Sequence, residues 1–115
     1  MKENKLVDLS KQFAVDIVNL CTEIKGNGKG NVLLNQLLRS GTSIGANIHE
    51  ANYASSKADF INKFHIALKE CIETEYWIEL LLESGYYNDK TLLEKCIEVK
   101  RILIASINTA KENNK

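Results

Sequence analysis

Few residues in this sequence combine the chemistry and the spacing of a reactive site. Glu70 and Glu73 are three positions apart, so on a helix they would share a face, as half of a di-iron site in a helical bundle does. Such sites also need a Glu-x-x-His motif on each of two helices, and neither His49 nor His65 belongs to one. We therefore expect neither a metal nor another cofactor, and we interpret both histidines as surface or boundary residues.

Nucleophiles and glycines also give no indication of catalysis. Cys21, Cys71 and Cys96 are far apart and lack the paired spacings of a zinc or redox motif, so we interpret them as reduced core residues. The serines form no recognisable Ser-His-Asp arrangement. The glycine-rich segment 26–30 is not followed by a Lys-Ser/Thr pair, which favours a flexible connection over a phosphate-binding loop. The sequence predicts a protein without enzymatic activity.

One group of polar residues is found where helix packing is expected. The predicted polar cluster consists of Arg39, Ser43, Asn47, Glu50, Glu70 and Glu73. A solvated helix flank is the ordinary explanation of such a pattern. If the residues are partly buried instead, Arg39 needs a carboxylate, and a bidentate pair with Glu70 or Glu73 would fix helix register or subunit orientation.

The elements that would position these residues are helices. Proline is absent, aromatic residues make up only 7% of the chain, and good helix formers recur throughout. Apolar residues three and four positions apart predict four helices, over about residues 4–24, 32–54, 57–84 and 89–111. A chain of 115 residues is long enough for one domain. The predicted fold is therefore all-α, a single up-down-up-down antiparallel four-helix bundle over residues 1–115.

Local signals support these boundaries. Residues Ser56 to Asp59 resemble a capping box that would begin the third helix, and Gly85 would end it. Gly41 and Gly45 lie beside the apolar face of the second helix. Each weakens that helix by about 1 kcal/mol relative to alanine, which is tolerable if another helix approaches closely there.

The third helix has more apolar residues than a monomeric bundle needs. Its predicted core stripe consists of Phe60, Phe64, Ala67, Cys71, Ile78 and Leu82. A second apolar group lies about 240° around the helix from Phe60 and consists of Ile66, Trp77, Leu80 and Leu81. A wide core stripe could absorb some of this group. We favour a subunit interface, because contiguous exposed apolar surface with an aromatic anchor is typical of interfaces.

Charge limits a nucleic-acid hypothesis. The chain has 15 basic and 15 acidic residues, whereas proteins that bind nucleic acid usually have a basic surplus. Residues 70–101 have four basic and eight acidic side chains, so the basic residues predominate elsewhere. In an up-down bundle the chain start, the start of the third helix and the chain end share one pole. Six lysines are expected near this pole and could contact nucleic acid weakly: Lys2, Lys5, Lys57, Lys63, Lys111 and Lys115.

Membrane insertion and export are not indicated. The apolar runs are only a few residues long, and the sequence begins with the polar segment Lys2 to Lys5 after Met1. We expect a cytoplasmic protein.

Two blocks of the sequence resemble a known family of bacterial four-helix bundle proteins. These proteins are related to those encoded in intervening sequences of 23S rRNA genes, and one branch serves as accessory proteins of diversity-generating retroelements. The first block matches the pattern Arg-x-x-x-Ser-Ile-x-x-Asn-Ile-x-Glu-Gly at Arg39, Ser43, Ile44, Asn47, Ile48 and Glu50. Ala51 replaces the final Gly, so the second helix would extend slightly further. The second block extends from Asp59 to Trp77.

The resemblance implies a homopentamer and no established enzyme activity. In one branch it also implies an association with RNA, DNA or a reverse transcriptase. Two hypotheses follow. The chain is either a self-assembling scaffold that binds copies of itself and an unidentified protein partner, or a nucleic-acid-associated accessory factor. We favour the first.

Overall fold

The predicted all-α fold is confirmed by the structure, a computed structural model that describes residues 2–24 and 28–113. Its four helices are α1 (Lys2–Glu23), α2 (Gly28–Ala51), α3 (Lys57–Glu83) and α4 (Thr91–Glu112). Each helix packs against the helices before and after it in the chain, and α4 closes the bundle against α1. The contact between α2 and α3 is the most extensive, and that between α1 and α4 is the least. The bundle is 50 Å long and about 20 Å wide.

The limits of α2 differ from the prediction at both ends. The helix begins at Gly28, whereas the predicted start was residue 32. A Cβ added at Gly30 would lie 3.1 Å from the ring of Tyr86, so the glycine allows this ring to pack on the first turns of α2. The helix ends at Ala51, and the predicted extension to residue 54 is wrong as α-helix. Asn52, Tyr53 and Ala54 instead donate their backbone N–H groups to carbonyls three residues earlier.

The boundaries of α3 follow the predicted signals. The Ser56 hydroxyl accepts the backbone N–H of Asp59 at 3.0 Å, and the Asp59 carboxylate accepts the N–H of Ser55 at 3.3 Å. The reciprocal bond thus reaches one residue further back than in a standard capping box. At the other end Gly85 adopts a positive φ of 81°, and the next N–H reaches back to the carbonyl of Leu81 at 3.1 Å. This is the left-handed glycine that commonly terminates a helix.

The close approach predicted at the two α2 glycines is confirmed, and the neighbour is α1. A Cβ added at Gly41 would lie 3.0 Å from the side chain of Ile17. At Gly45 it would lie 3.3 Å from the backbone oxygen of Ser10, which cannot rotate away. The glycines therefore allow the backbones of α1 and α2 to pack tightly.

The core stripe of α3 differs from the prediction in its last turn. The buried residues of this helix are Phe64, Ala67, Cys71, Thr74, Ile78 and Leu81. They alternate steps of three and four, which keeps a bundle helix facing its neighbours. The predicted stripe contained only apolar residues and so lacked Thr74. Without Thr74 the alternation of steps of three and four was not visible, and the stripe was continued from Ile78 by four residues to Leu82 instead of by three to Leu81. Leu82 is only half-buried, whereas Leu81 is completely buried.

Candidate interaction surface on α2 and α3

The outer seam between α2 and α3 is tied by one arginine. Arg39 of α2 places Nη1 2.9 Å from Oε2 of Glu70, and its Nη2 pairs with Oε2 of Glu73 one turn further along α3. The Arg39 side chain is 51% exposed, whereas those of Glu70 and Glu73 are 15% and 32% exposed. The sequence predicted a pair with one of the two glutamates. The guanidinium instead bridges both and so fixes α3 against α2.

Trp77 completes this charged group. Its indole N–H donates to Oε2 of Glu73 at 3.0 Å, and its ring is partly buried against the core. The hydrogen bond from Trp77, followed by that from Arg39, lowers the pKa of Glu73 below its usual value. The bond to Glu73 in turn raises the pKa of Arg39, so both groups are charged at neutral pH. Trp77 therefore makes a contact within its own chain, where its indole N–H holds the Glu73 carboxylate in place.

A second polar contact lies directly beneath the charged group. The hydroxyl oxygens of Ser40 and Thr74 are both buried and lie 2.9 Å apart, joining α2 to α3 inside the core. Thr74 is also 2.7 Å from the carbonyl oxygen of Glu70. This pair is not among the predicted contacts. The three-and-four spacing that places Thr74 between Cys71 and Ile78 was the signal that could have found it.

The rest of the predicted polar cluster makes other contacts. Ser43 donates to the carbonyl oxygen of Arg39 at 2.7 Å, and Asn47 donates to that of Ser43 at 2.9 Å. These bonds follow α2 and do not involve the glutamates of α3. Glu50 pairs with Lys63 at 3.2 Å. The six predicted residues therefore do not form one cluster. Arg39 pairs with the two glutamates of α3, Ser43 and Asn47 bond to carbonyl oxygens of α2 itself, and Glu50 pairs with Lys63.

Apolar side chains are exposed on the outer side of α3. Ile66, Ile72 and Tyr76 are exposed, and Leu80 is half-buried. The Tyr76 ring meets Trp77 edge-on, with centroids 5.2 Å apart. Ile72 and Tyr76 are not among the predicted members of this surface, although at about 100° per residue both lie roughly opposite the core stripe.

The predicted assignment of one residue to this surface is wrong. Leu81 was assigned to a subunit interface, but its side chain is fully buried in the core of its own subunit. The physical reason is its position three residues after Ile78, which continues the core stripe. Ile66 and Leu80 remain on the outer side of α3, and Trp77 lies on the flank facing α2.

The predicted lysine pole is found in part. Lys5 and Lys57 line one cavity of about 440 Å³ at the end of the bundle where α3 begins, and Lys111 is exposed on the last turn of α4. Lys63 instead forms the ion pair with Glu50 on the seam. Lys115 and the side chain of Lys2 lie outside the described residues.

Two cysteines that are distant in sequence meet in the core. The Sγ atoms of Cys71 on α3 and Cys96 on α4 are 3.8 Å apart, and both residues are buried. The contact with Cys71 and burial both raise the pKa of the Cys96 thiol far above its usual value. Cys96 is therefore a neutral thiol at physiological pH and a poor nucleophile.

No metal-binding group is found among the described residues. Within 2–24 and 28–113, no three His, Cys, Asp or Glu side chains are arranged to hold a metal ion. Over the same residues, no helix has the length and apolar character needed to cross a membrane.

Comparisons with family models and with solved structures both give matches. A sequence model of the family described as 23S rRNA-intervening sequence protein matches residues 2–105. The crystal structure of a protein of unknown function from Bacteroides thetaiotaomicron, assigned to the S23 ribosomal protein family, has a TM-score of 0.88 to this chain. The two sequences are 49% identical over 94% of this chain and 99% of that chain. No curated protein matches.

Proposed function

We propose that this chain, which belongs to the 23S rRNA-intervening sequence protein family, acts as a non-enzymatic helical scaffold. In this proposal it assembles with copies of itself and binds other proteins. The similar Bacteroides protein is itself of unknown function, so the proposal depends on the surface of this chain.

The observation that carries the proposal is the exposed apolar side of α3. Ile66, Ile72 and Tyr76 reach solvent along this helix although its opposite side already fills the core. Burying such a side chain is worth about 1.5–3 kcal/mol before the costs of association, so several together could drive assembly. Glu79 is exposed at the edge of this group and would supply part of a polar rim, whereas Lys69 lies between Ile66 and Ile72.

The seam between α2 and α3 supports this use of α3. Arg39 bridges Glu70 and Glu73, and Trp77 holds Glu73 from the other side. These contacts hold Glu73 and Trp77 next to Tyr76 in one arrangement before any partner binds. A surface that is ordered in advance loses less entropy on association.

The family resemblance sets the expected assembly as a pentamer. In a closed ring each subunit presents one surface to the next subunit and a different surface to the previous one. The outer side of α3 would supply one of these two surfaces. The protein partners would then meet several copies at once, which raises their effective concentration.

Light scattering after size exclusion tests the assembly. Wild type should show a mass several times that of the 13.0 kDa chain, and five times that mass if it is a pentamer. Ile72→Glu and Tyr76→Glu should lower this mass, because each would place a carboxylate in the apolar contact. Ile104→Glu is the matched control, since Ile104 on α4 is 43% exposed and Ile72 is 52% exposed. A monomeric wild type at micromolar concentration would refute the proposal.

Nucleic-acid association is the second candidate function. It is favoured by the two lysines that line one cavity at the pole, Lys5 and Lys57. The net charge of zero argues against strong binding of nucleic acid. We therefore expect weak binding, with an affinity that falls steeply as the salt concentration rises. Lys5→Glu with Lys57→Glu should abolish the binding of a fluorescent RNA, whereas Lys11→Glu with Lys90→Glu should change it less. A salt-insensitive complex of nanomolar affinity would contradict this expectation.

A further inference from the structure

The cavity at the lysine pole has an apolar interior. It lies between the first turns of α3 and the last turns of α4, and its volume is about 440 Å³. Phe60 and Phe64 form one wall, with ring centroids 4.4 Å apart. The facing residues of α4 include Ala105, Ser106 and Ala110, which are too small to fill the space opposite the rings. The cavity therefore results from small side chains on α4 opposite large ones on α3.

The charged residues of the cavity all have the same sign. Lys5 comes from α1 and Lys57 from the start of α3, and no acidic side chain lines the cavity. Among the described residues, neither lysine forms an ion pair. A site with an apolar interior and two ammonium groups complements a molecule that has an apolar chain and an anionic head.

The size of the cavity argues against a helix as its occupant. A helix with its side chains is about 10–12 Å across, so only part of one face could enter a space of about 440 Å³. The volume is within the range of about 300–1,000 Å³ that is typical of small-molecule sites. The cavity also lies on the α4 side of α3, so it is separate from the outer surface to which we assign self-assembly.

We propose that this cavity binds an anionic single-chain amphiphile, of which a medium-chain fatty acid is the simplest example. The hydrocarbon chain lies against Phe60, Phe64 and the small residues of α4. The carboxylate lies at Lys5 and Lys57. Binding of this ligand does not depend on self-assembly or on nucleic-acid association.

Calorimetric titration of the full-length chain with decanoate, below its micellar concentration, tests the proposal. We expect saturable binding of one decanoate per chain. Octanoate lacks two CH₂ groups and should bind roughly fifteenfold more weakly, because each buried CH₂ contributes a factor of about four. Decyltrimethylammonium has a similar chain with a cationic head and should not bind. Equal affinity for decanoate and the cationic amphiphile would overturn the proposal.

Variants separate the two parts of the site. Ala105→Trp should fill the cavity and abolish decanoate binding, whereas Asn88→Trp, at the opposite end of the bundle, should leave it unchanged. If Ala105→Trp does not fold, as judged by circular dichroism, Thr109→Leu provides a milder filling at the same cavity and should weaken binding. Lys5→Ala with Lys57→Ala should weaken decanoate binding by roughly fivefold or more, and Lys11→Ala with Lys90→Ala should not.

Two further results would overturn the proposal. The first is decanoate binding that is unchanged in both filling variants, because the chain would then lie elsewhere. The second is a loss of oligomer mass in Ala105→Trp or on addition of decanoate, because the cavity would then be a contact between subunits. RNA binding that depends on the two lysines but not on the filling variants would leave the proposal standing, provided that decanoate binding responds to both.

Discussion

The two sides of α3 differ in what their apolar residues contact. On the inner side, residues from Phe64 to Leu81 alternate steps of three and four and are buried by the neighbouring helices. On the outer side, Ile72 and Tyr76 are 52% and 57% exposed. The flank between them, facing α2, is polar and holds Glu70 and Glu73. The inner side should therefore determine the stability of the subunit, and the outer side its association.

Three consecutive leucines illustrate this difference. Leu80, Leu81 and Leu82 have the same side chain, yet only Leu81 is completely buried. Hydrophobicity cannot distinguish them, because each successive residue is rotated by about 100° around the helix. Their environment depends on which side of the helix its neighbours occupy.

The largest expected effect is that of truncating the buried leucine. Leu81→Ala should lower the free energy of unfolding by about 2–5 kcal/mol, because it leaves a cavity in a packed core. Leu80→Ala is the matched control and should cost clearly less, since part of that side chain already contacts water. Chemical denaturation measures both, and one fixed protein concentration is used because the proposed assembly would make stability depend on concentration. Equal losses would contradict the assignment of inner and outer sides.

A smaller effect is expected from the buried polar contact between α2 and α3. Thr74→Val should cost about 1–3 kcal/mol, because the buried Ser40 hydroxyl would lose its partner at 2.9 Å and keep only the Leu37 carbonyl oxygen at 3.5 Å. Adding Ser40→Ala should recover part of this loss, since both polar groups are then absent. A double-mutant cycle by denaturation measures the coupling. A coupling of zero would mean that the two hydroxyl groups do not interact.

Removing the arginine at the seam should have a moderate effect. The Arg39 side chain is half exposed, so Arg39→Ala should cost about 1 kcal/mol rather than the 3–5 kcal/mol typical of a buried pair. Arg101→Ala is the control, because Arg101 is exposed and makes no ion pair among the described residues. A loss above about 3 kcal/mol in thermal or chemical unfolding would show that the pair behaves as a buried one.

The smallest expected effect is the loss of stability at low pH through protonation of Glu73. The pKa of Glu73 is lowered in the folded state, so its stabilising contribution is complete above the unfolded pKa of about 4.3. That contribution is lost as the pH falls through the lower folded value. Glu73→Gln should therefore reduce stability at pH 7, and its difference from wild type should shrink toward pH 3. Glu98→Gln is the control variant, because Glu98 is exposed on α4 and forms no ion pair among the described residues.

Much of the fold could be predicted because helices depend on local patterns. The four helices, the Ser56 cap, the Gly85 terminus and the tight crossing at Gly41 and Gly45 all follow from residue type and short-range spacing. The pairing of Arg39 with glutamates of α3 could also be predicted, since both helices present polar residues beside their core faces. The sequence indicated one glutamate, and only the packing of α3 brought Glu70 and Glu73 within reach of the same guanidinium.

Other features required long-range placement. The meeting of Cys71 with Cys96 depends on how far α3 and α4 slide past each other, which no local pattern specifies. The partner of Lys63 also depends on packing: this lysine was predicted at the lysine pole, and it pairs with Glu50 in the last turn of α2.

By itself, the sequence determined the number and order of the helices and the signals that begin and end α3, because these depend on periodicity and capping within about one or two turns. The two motif blocks determined the family to which the chain is similar. Only the tertiary structure decided which leucine of the run from Leu80 to Leu82 faces the core. It also decided that small residues of α4 lie opposite Phe60 and Phe64 and leave a cavity there. The reason is that a residue's burial depends on the register and rotation of the neighbouring helix, and these result from the packing of all four helices together.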